Sequence, residues 1–467
     1  MAYKTKLNSL NYDVYPLVFE VNKPVEISIR RIGGDDEEFL PDTEYNLMIT
    51  GVDGGYKFDF PETAYCIEKR IKTDSDGNFK FTHSFPDEQE YYLIFSNDDG
   101  KKINTFNVYS IKEDLVGRYP LIGDLHMHTY RSDGSESPAV VCANYHRNGY
   151  DFMVVSDHCR YYPSLEAIDA YKDVPVELNI VPGEEVHLPK VHGKTNDIHI
   201  VNFGGEYSIN AMIEGAATEE RGKDLKFRAV RTENVPEVMT VSEYEEKMQG
   251  IADSMEIPEG VEKIPYAVCS WIFDEIRKAN GLGIFAHPNW KKGTASQVPE
   301  RFCDYMFEKH PFDAFEVLGG ELYFEHNGFQ TIKYYEQKAK GNVFPIVGST
   351  DSHSSYYTNP KAFICSTMVF AHENERKDII SSIKDLYSVA IDTISEEYRL
   401  VGDFRLVKYA RFVVDYYLPL HNDVCFESGR LMKQYSTGTP EEKEEAAIVL
   451  KTIYGRLDRH RKKYFKF

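Results

Sequence analysis

Short runs in which hydrophobic and polar residues alternate fill the first part of the chain. This period of two is typical of β-strands with one buried face, and turn signals such as Asp53-Gly54-Gly55 separate the runs. No helical period interrupts them, so the pattern predicts a β-sandwich domain over residues 1–115. The predicted strands are 25–31, 45–51, 78–84, 91–96 and 103–111.

From about residue 120 the pattern changes to short apolar runs that alternate with helical periods. Repeated strand–helix units predict an α/β domain with a parallel sheet, closed or nearly closed into a barrel, over residues 120–395. The predicted strands are 150–156, 178–181, 198–203, 282–286, 314–318 and 343–347, and the predicted helices are 138–148, 164–172, 267–279 and 329–340.

Two segments depart from the strand–helix pattern. Residues 205–265 are charged and irregular, and an insertion of this length on a barrel usually covers the active-site mouth. We therefore expect a lid there, with a peripheral ornament as the alternative. After Thr393 the pattern is mostly helical, notably over 440–460, which predicts a helical C-terminal extension over 396–467.

Size and hydropathy limit the classes of protein to consider. The 467 residues suffice for two or three domains with a large core, since 42% are hydrophobic and 13% aromatic. No apolar run reaches the roughly 18 residues that a membrane-spanning helix needs. The first residues lack the apolar core of a signal peptide, so we expect no membrane association.

Cysteine usage and charge narrow the compartment and the partners. The seven cysteines are scattered and form no C-x-x-C pair, which is typical of a reducing compartment and argues against a cysteine-ligated zinc. We therefore expect a cytoplasmic protein. The net charge of −21 argues against a long nucleic-acid partner but allows a small anionic substrate held by local cations. Homo-oligomerisation is also open.

The candidate chemistry is concentrated in residues 121–134, LIGDLHMHTYRSDG. Asp124, His126 and His128 stand at alternate positions of a predicted strand, and side chains two apart point to the same face with Cα atoms roughly 6.6 Å apart. The two imidazoles can therefore converge on one ion, and Asp133 in the following turn could reach a neighbouring ion. Taken alone, the motif is equally compatible with a polar strand face.

Further polar residues recur where later predicted strands end. In a βα barrel these ends ring a single mouth, and burying so many imidazoles and carboxylates is costly unless something binds them. Their joint appearance therefore predicts a metal site, although each alone is more often a satisfied polar group. The donor set suits zinc, manganese or iron, and the excess of donors predicts up to three ions. The residues are Asp157, His158, Glu184, Glu185, His199, His287, Asp351 and His353.

Six motifs follow one another over about residues 121–393: D-L-H-M-H-T-x-x-S-D-G, V-S-D-H, P-G-E-E-V, H-I-V, F-A-H-P and S-T-D-S-H. In this order and spacing they resemble the PHP superfamily, named for polymerase and histidinol phosphatase. The resemblance implies a distorted (β/α)7 TIM-like barrel with a trinuclear metal site that hydrolyses phosphoesters, as a phosphatase does.

The resemblance also implies which residues bind each ion. His126, His128, Glu185 and Asp351 would hold the first ion, and Glu185 would bridge to a second ion held by His199 and His287. Asp133, His158 and His353 would hold the third. Within these sets we assign Glu185, Asp351 and His353 as catalytic residues.

Neighbouring residues compete for two of these positions. The family's Gly-x-Glu pattern selects Glu185, but Glu184 is adjacent. His187 and His192 lie close to His199, which we prefer because it stands inside an apolar run.

Five other residues are candidates for supporting roles. We interpret Asp124 and Asp157 as groups that orient imidazoles, with strand-end capping as the alternative. Arg131 and Arg160 flank ligand motifs and could meet an anionic group, or form surface ion pairs. Trp290 could stack on a substrate ring, or pack in the core.

The function predicted from these features is a metal-dependent hydrolase, most of all a phosphoesterase in which a metal-bridging hydroxide attacks phosphorus. The S-D-G motif followed by a helix, the long insertion and the front β-domain are also similar to the carbaryl-hydrolase branch. Hydrolysis of a carbamate or carboxylic ester is therefore the first alternative. A metal-binding scaffold without turnover is the second.

Overall fold

The computed structural model describes residues 11–33, 38–194, 198–214, 235–320, 324–356, 361–394 and 398–467. The chain divides into two compact units. Unit 1 comprises Met1–Pro120, Phe404–Val424 and Gly455–Phe467, and unit 2 comprises Leu121–Asp403 and Cys425–Tyr454. The residues of the predicted C-terminal extension are thus shared between the two units and do not form a body of their own.

Unit 1 is built mainly of antiparallel strands. They are β1 (Tyr12–Tyr15), β2 (Val18–Glu20), β3 (Pro24–Arg31), β4 (Glu44–Gly51), β5 (Cys66–Lys72), β6 (Phe79–Ser84), β7 (Glu90–Ser96) and β8 (Lys102–Ile111). One sheet has the order β1-β3-β6. The other has the order β2-β8-β7-β4-β5, extended at β2 by the short strand Phe465–Lys466.

An aromatic core holds unit 1 together. Every second residue of β4 is buried, which places Tyr45, Leu47 and Ile49 on one face. The ring of Phe39 packs edge-on against Tyr45 and against Phe79 of β6, with ring centroids 5.3 and 4.9 Å apart. The alternation read from the sequence therefore marks the residues that the sheets bury.

Unit 2 alternates strands and helices. Its strands are β9 (Tyr119–Asp124), β10 (Phe152–Val154), β11 (Asn179–Val181), β12 (Gly183–Val186), β13 (Ile200–Phe203), β14 (Leu282–Phe285), β15 (Lys291–Lys292), β16 (Ala295–Ser296), β17 (Ala314–Leu318), β18 (Ile346–Gly348), β19 (Cys365–Ala371), β20 (Ser388–Asp392) and β21 (Arg399–Val401). Its helices up to residue 403 are α1 (Pro138–Arg147), α2 (Tyr162–Ala170), α3 (Val241–Ser254), α4 (Lys263–Lys278), α5 (Glu300–Lys309), α6 (Phe324–Ala339) and α7 (Arg376–Lys384).

The strands of unit 2 form two mixed sheets, which corrects the expectation of one parallel barrel. The sheet orders are β11-β10-β9-β19-β20-β21 and β12-β13-β14-β17-β18. β10 pairs in parallel with β9 and β11, but β13 pairs antiparallel with both β12 and β14. Pro182, which has no N–H for a ladder, separates β11 from β12 at the point where the chain changes sheet. Within the described residues no continuous ladder closes the two sheets into a barrel.

Two isolated parallel bridges link the segments that follow β9 and β10 of the first sheet to the edge strands β12 and β18 of the second sheet, or to the residues just after them. One bridge pairs Met127 with Ser352, and the other pairs His158 with Glu185. Both bridges lie in the segments that carry the predicted metal ligands. The sheets therefore meet where the candidate chemistry is.

The described part of the predicted lid is packed into the core. A capping box formed by Thr240 and Glu243 starts α3, whose Tyr244 and Met248 are buried. The ring of Tyr244 packs against Trp271 of α4, with centroids 6.0 Å apart. Residues 215–234 lie outside the described residues, so a lid over 205–265 stays a prediction.

The C-terminal residues are helical, as predicted, but with breaks. The helices are α8 (Phe404–Phe412), α9 (Leu418–Thr437), α10 (Pro440–Ile453) and α11 (Arg456–Tyr464), with a π-helical segment Val413–Tyr417 between α8 and α9. The single helix predicted over 440–460 is interrupted at Gly455, whose φ of 80° is in the left-handed region that glycine favours. Among the described residues, no helix is long and apolar enough to span a membrane.

Candidate metal centre

The segment that follows β9 brings two imidazoles to one face. His126 and His128 are fully buried, and their ring centroids are 5.2 Å apart. Residues after β18 run beside this segment: the N–H of Asp351 donates to the carbonyl of His126 at 2.9 Å, and the N–H of His128 donates to the carbonyl of Ser352 at 3.0 Å. This backbone pairing fixes the Asp351 carboxylate against both rings.

The carboxylate of Glu185 lies at the middle of the centre. Its Oε1 is 2.6 Å from Nδ1 of His199, and its Oε2 is 2.5 Å from Nδ1 of His158. Oε2 also lies 3.4, 3.5 and 3.6 Å from ring nitrogens of His187, His128 and His126. One buried carboxylate thus faces five imidazoles from four segments of the chain.

Two further carboxylates complete the buried side of the centre. Oδ1 of Asp351 is 2.9 Å from Nε2 of His128 and 3.3 Å from Nε2 of His126, and its Oδ2 is 3.6 Å from Nε2 of His287. Oε2 of Glu316, on β17, is 3.1 Å from Nδ1 of His126. Because a carboxylate accepts hydrogen bonds, this contact suits a proton on Nδ1 of His126, which leaves Nε2 as the nitrogen that faces Glu185 and Asp351.

A third group of donors lies on the solvent side. Asp133 places Oδ1 3.3 Å from Nε2 of His353 and Oδ2 3.5 Å from Nε2 of His158. The His353 side chain is 38% exposed and that of Asp133 51%, whereas those of His126 and Glu185 are fully buried. Nδ1 of His353 donates to the carbonyl of Asp351 at 3.0 Å, which directs its Nε2 towards Asp133.

Charge interactions in the centre are strong and of both signs. Burial opposes ionisation of Glu185 and Asp351, but the surrounding imidazoles outweigh it and hold the pKa of both carboxyls well below the usual range. Burial also opposes protonation of His158, but Glu185 and Asp133 raise its pKa to about 10. Burial, with His158 and His353 nearby, lowers the pKa of His128 to about 3.

The donor atoms of the centre fit a metal ion. Several of these atoms are buried and have no hydrogen-bond partner in the described part of the chain. They are Nε2 of His126, Nδ1 of His199, both ring nitrogens of His287 and both carboxylate oxygens of Glu185. Such atoms are costly to bury unless a partner is present, and a cation among imidazole and carboxylate donors is that partner.

Five sets of donors have ligand atoms within 4.8 Å of one another. The sets are His128, Asp133, His158 and His353; His126, His128 and Glu185; His126, His287 and Glu316; His158, Glu185 and His187; and Glu185, His199 and His287. Sets that share members can hold more than one ion. The arrangement is therefore suited to a multinuclear site for divalent metal ions.

The structure brings all nine sequence-predicted ligands together in this centre. Eight of them are members of the five sets, and Asp351 joins through its contacts with His128, His126 and His287. Sequence reasoning did not include Glu316, a single carboxylate in the buried strand AFEVL of β17. That charge within an otherwise apolar strand was the signal that could have identified it.

The structure distinguishes the residues that compete for two of the ligand positions. Glu184, which follows Gly183 on β12, points to the opposite face and accepts hydrogen bonds from Ser208, Ile209 and Asn210. The side chain of His192 is 53% exposed and lies beside Glu245, away from the donors. His187 is a member of one set and His199 of another, so both imidazoles belong to the centre.

Asp124 and Asp157 contact backbone and hydroxyl groups where an interaction with an imidazole was expected. Asp124 accepts hydrogen bonds from the N–H groups of His126 and Thr350 and from the Thr350 hydroxyl. Asp157 accepts from the N–H and hydroxyl groups of both Thr129 and Ser132. These hydrogen bonds therefore agree with the alternative role of strand-end capping. Burial raises the pKa of both carboxyls to about 6.

The three residues that the sequence predicts to contact a substrate have different surroundings. The guanidinium of Arg131 forms a two-armed ion pair with Glu166, with both N···O distances 2.8 Å, so a carboxylate already occupies it. The ring of Trp290 lies 6.0 Å from the rings of His199 and His287, at the edge of the centre. Arg160 is buried two residues after His158.

Comparisons with known proteins give one sequence relative and several distant structural neighbours. No family model matches the chain. Over 111 residues the chain is 30% identical to the DNA polymerase/3'-5' exonuclease PolX of Bacillus subtilis (strain 168). The match covers 22% of this chain and 18% of that protein, so the chain spans less than a fifth of the curated relative.

Three solved structures are similar at 15–17% sequence identity. A two-domain protein from Bacteroides vulgatus that contains a predicted PHP-like metal-dependent phosphoesterase has a TM-score of 0.36, covering 59% of this chain and 65% of its own. A protein from Bifidobacterium adolescentis, provisionally described as a metal-dependent phosphoesterase, has a TM-score of 0.31. An amidohydrolase from Chromobacterium violaceum, with bound sulfate and no metal, has a TM-score of 0.30. The last two matches each cover 50% of this chain and 87% of the other.

Proposed function

We propose that this chain, whose resemblance to the PHP superfamily is confirmed by the sequence match and the donor sets, is a metal-dependent phosphoesterase. The observation that carries the proposal is the position of Glu185. It lies within 3.6 Å of five imidazoles, and neither of its oxygens makes a hydrogen bond within the described part of the chain. A buried carboxylate in such surroundings is explained by cations that it shares with the rings.

The donor sets support up to three divalent ions, of zinc, manganese or iron. His126, His128, Glu185 and Asp351 would hold one ion, Glu185, His199 and His287 a second, and Asp133, His158 and His353 a third. When bound, such ions lower the pKa of a water molecule and attract the oxygens of an anionic substrate. His187 is within reach of the second and third groups and could replace a ligand in either.

The chain's own residues define the direction from which a substrate arrives. Asp133 and His353 are the most exposed donors, while Glu185 and Asp351 lie behind them. The substrate therefore approaches past His353, and the groups that we propose as catalytic (Glu185, Asp351 and His353) line its path from the inside outwards. Trp290 stands beside His199 and His287 and could contact an organic group of the substrate.

A small anionic molecule is the partner that this centre would select. Four carboxylates (Asp133, Glu185, Asp351 and Glu316) against three divalent ions still leave the pocket positive inside a protein with a net charge of −21. The global charge keeps long polyanions away, while the local charge attracts a phosphoester. Location in the cytoplasm and the possibility of self-association remain expectations from the sequence.

Turnover of four substrates tests the proposal. Purified, metal-loaded protein would be offered p-nitrophenyl phosphate, bis-p-nitrophenyl phosphate, naphthyl acetate and naphthyl methylcarbamate. We expect hydrolysis of phosphoesters that stops when a chelator removes the metal. Preference for the two carbon esters would instead assign the carbaryl-hydrolase type of reaction. Fewer than two metal ions per chain, with no turnover, would favour a binding scaffold.

A further inference from the structure

One buried cation, two residues after a predicted metal ligand, has no ion-pair partner among the described residues. Arg160 is 2% exposed, and its Nε, Nη1 and Nη2 atoms have no hydrogen-bond partner in the part of the chain that the structure describes. A guanidinium cannot lose its charge in a protein, so burial does not neutralise it. An unpaired buried charge of this kind is rare and is retained where an external anion pairs with it.

The backbone ties Arg160 to the metal centre. His158, two residues earlier, is a donor of two of the five sets. Between them, Cys159 adopts a left-handed φ of 59° and its N–H donates to the carbonyl of Glu185 at 3.0 Å. The N–H of Arg160 then donates to the carbonyl of Asp157 at 3.2 Å. The turn that presents His158 to the centre therefore also fixes the position of Arg160.

The carboxylates nearest to Arg160 along the chain already have partners. Asp157 accepts four hydrogen bonds from Thr129 and Ser132. Glu166 on α2 is held by both arms of Arg131. The positive charge of Arg160 acts on the phenol of Tyr162. Burial raises the pKa of this phenol, and the charges of Arg131 and Arg160 oppose that rise. Of these two arginines, only Arg131 has a carboxylate partner within the described residues.

We propose that Arg160 is a phosphate-binding residue, which makes the substrate of this site a phosphomonoester. This rests on the proposed function, because the phosphoester must sit at the metal centre for Arg160 to reach it. The planar fork of a guanidinium matches two oxygens of a phosphate, and a monoester offers one more free anionic oxygen than a diester. Arg160 thereby distinguishes the two ester classes at the same centre.

The test compares Arg160→Met with a matched arginine variant. Methionine keeps much of the length of the arginine stem but removes the charge and the fork. Arg399→Met is the control, because Arg399 lies in the same unit and two of its nitrogens, Nε and Nη2, donate to Asp392. Each full-length protein would be prepared with equal metal content, its affinity for inorganic phosphate measured by calorimetry, and its melting temperature recorded without phosphate.

We expect Arg160→Met to weaken phosphate binding at least tenfold and to melt no lower than the parent protein, since an uncompensated buried charge is removed. KM for p-nitrophenyl phosphate should rise more than KM for its bis-ester, with kcat less affected. Arg399→Met should melt lower, because Asp392 loses its partner, and should bind phosphate as the parent does. Arg160→Lys, which keeps the charge without the fork, should fall between Arg160→Met and the parent.

Two results would overturn this assignment. Phosphate affinity unchanged in Arg160→Met, in a protein that hydrolyses phosphoesters, would refute the role of Arg160 and leave the proposed function standing. A large fall in melting temperature with unchanged KM would make Arg160 structural. If instead the carbon esters were the substrates while phosphate binding still depended on Arg160, the proposed function would fail and the anion site would remain.

Discussion

Replacing Glu185 by glutamine is the most direct perturbation of the metal centre. The change preserves the size of the side chain but removes its negative charge and points an N–H group at the surrounding imidazoles. Glu185 is a member of three of the five donor sets, so more than one ion should be affected. We expect the loss of metal and the loss of turnover to occur together.

The size of the effect follows from what Glu185 contacts. Changing only a group that orients a ligand lowers metal affinity about 10–100-fold. Glu185 is itself a donor, with His199 and His158 at 2.6 and 2.5 Å, so about 100-fold is a lower bound for each ion that it serves. That corresponds to about 2.8 kcal/mol of binding free energy per ion. We therefore expect the metal content per chain after dialysis to be lower than that of the parent protein.

The adjacent residue provides the control. Glu184→Gln makes the same chemical change at a position that is also fully buried but faces Ser208, Ile209 and Asn210. All three contacts are donors, so the new amide N–H group loses at least one of them, and the free energy of unfolding should fall by about 1–3 kcal/mol. Metal content should stay that of the parent.

Elemental analysis after dialysis and chemical denaturation of both variants would be read together. We expect opposite results: Glu185→Gln should hold less metal, and Glu184→Gln should hold full metal and be less stable. If Glu184→Gln lost the metal and Glu185→Gln kept it, the orientation of β12 described here would be wrong. If both variants kept full metal content and turnover, Glu185 would not be a ligand.

Three further predictions concern groups around the centre and the last helices. Glu316→Gln should weaken metal binding about 10–100-fold in a chelator competition, because Nδ1 of His126 loses a carboxylate acceptor. The circular dichroism spectrum should stay unchanged, and an unchanged metal affinity would show that Glu316 does not orient His126. Asp157→Asn should lower the free energy of unfolding by about 1–3 kcal/mol, since an amide oxygen cannot replace both carboxylate oxygens as acceptors; a denaturant midpoint equal to that of the parent would refute this. Thr439→Ala removes the N-cap of α10 and should cost about 1 kcal/mol in the same assay, with Glu441→Ala, outside the capping box, as the control.

The strands of unit 1 show which patterns the sequence reveals. β3, β4, β6 and β7 bury alternate residues, whereas β8 is buried continuously from Phe106 to Ile111. The sequence predicts each of these five strands to within one residue at either end. β5 has the sequence CIEKRIK with no fully buried residue, so hydrophobic alternation cannot mark it. It forms because β4 offers a ladder partner along its whole length.

Strand direction is harder to read from the chain than strand position. Parallel neighbours need a crossover, usually a helix, whereas antiparallel neighbours do not. No helix was predicted between 181 and 198, which left room for the antiparallel pair β12 and β13. β13 and β14 are also antiparallel although α3 and α4 lie between them, so connection length alone would not have predicted the mixed sheets.

The site was more predictable than the fold because its residues occur at strand ends with fixed spacing. His126 and His128, two residues apart, reach the same face with no need for long-range information. The contribution of Glu316 depends on where β17 lies relative to β9, which no local pattern specifies. His187 and His199 lie at the two ends of the chain segment between β12 and β13. The apolar run around His199 favours that residue, but it gives no reason to exclude His187, which the structure also places in a donor set.

The strand Phe465–Lys466 has a consequence for how the protein is made. It runs parallel to β2, with Val18 opposite Phe465, so one edge of the unit 1 sheet is completed by residues far along the chain. A ribosome adding about 5–20 residues per second would need roughly 20–90 s to reach residue 465 after making β2. Unit 2 is interrupted only by residues 404–424 and can be nearly finished before that. The sheet of the nascent first unit therefore keeps one edge uncovered until almost the whole chain, including unit 2, has been made.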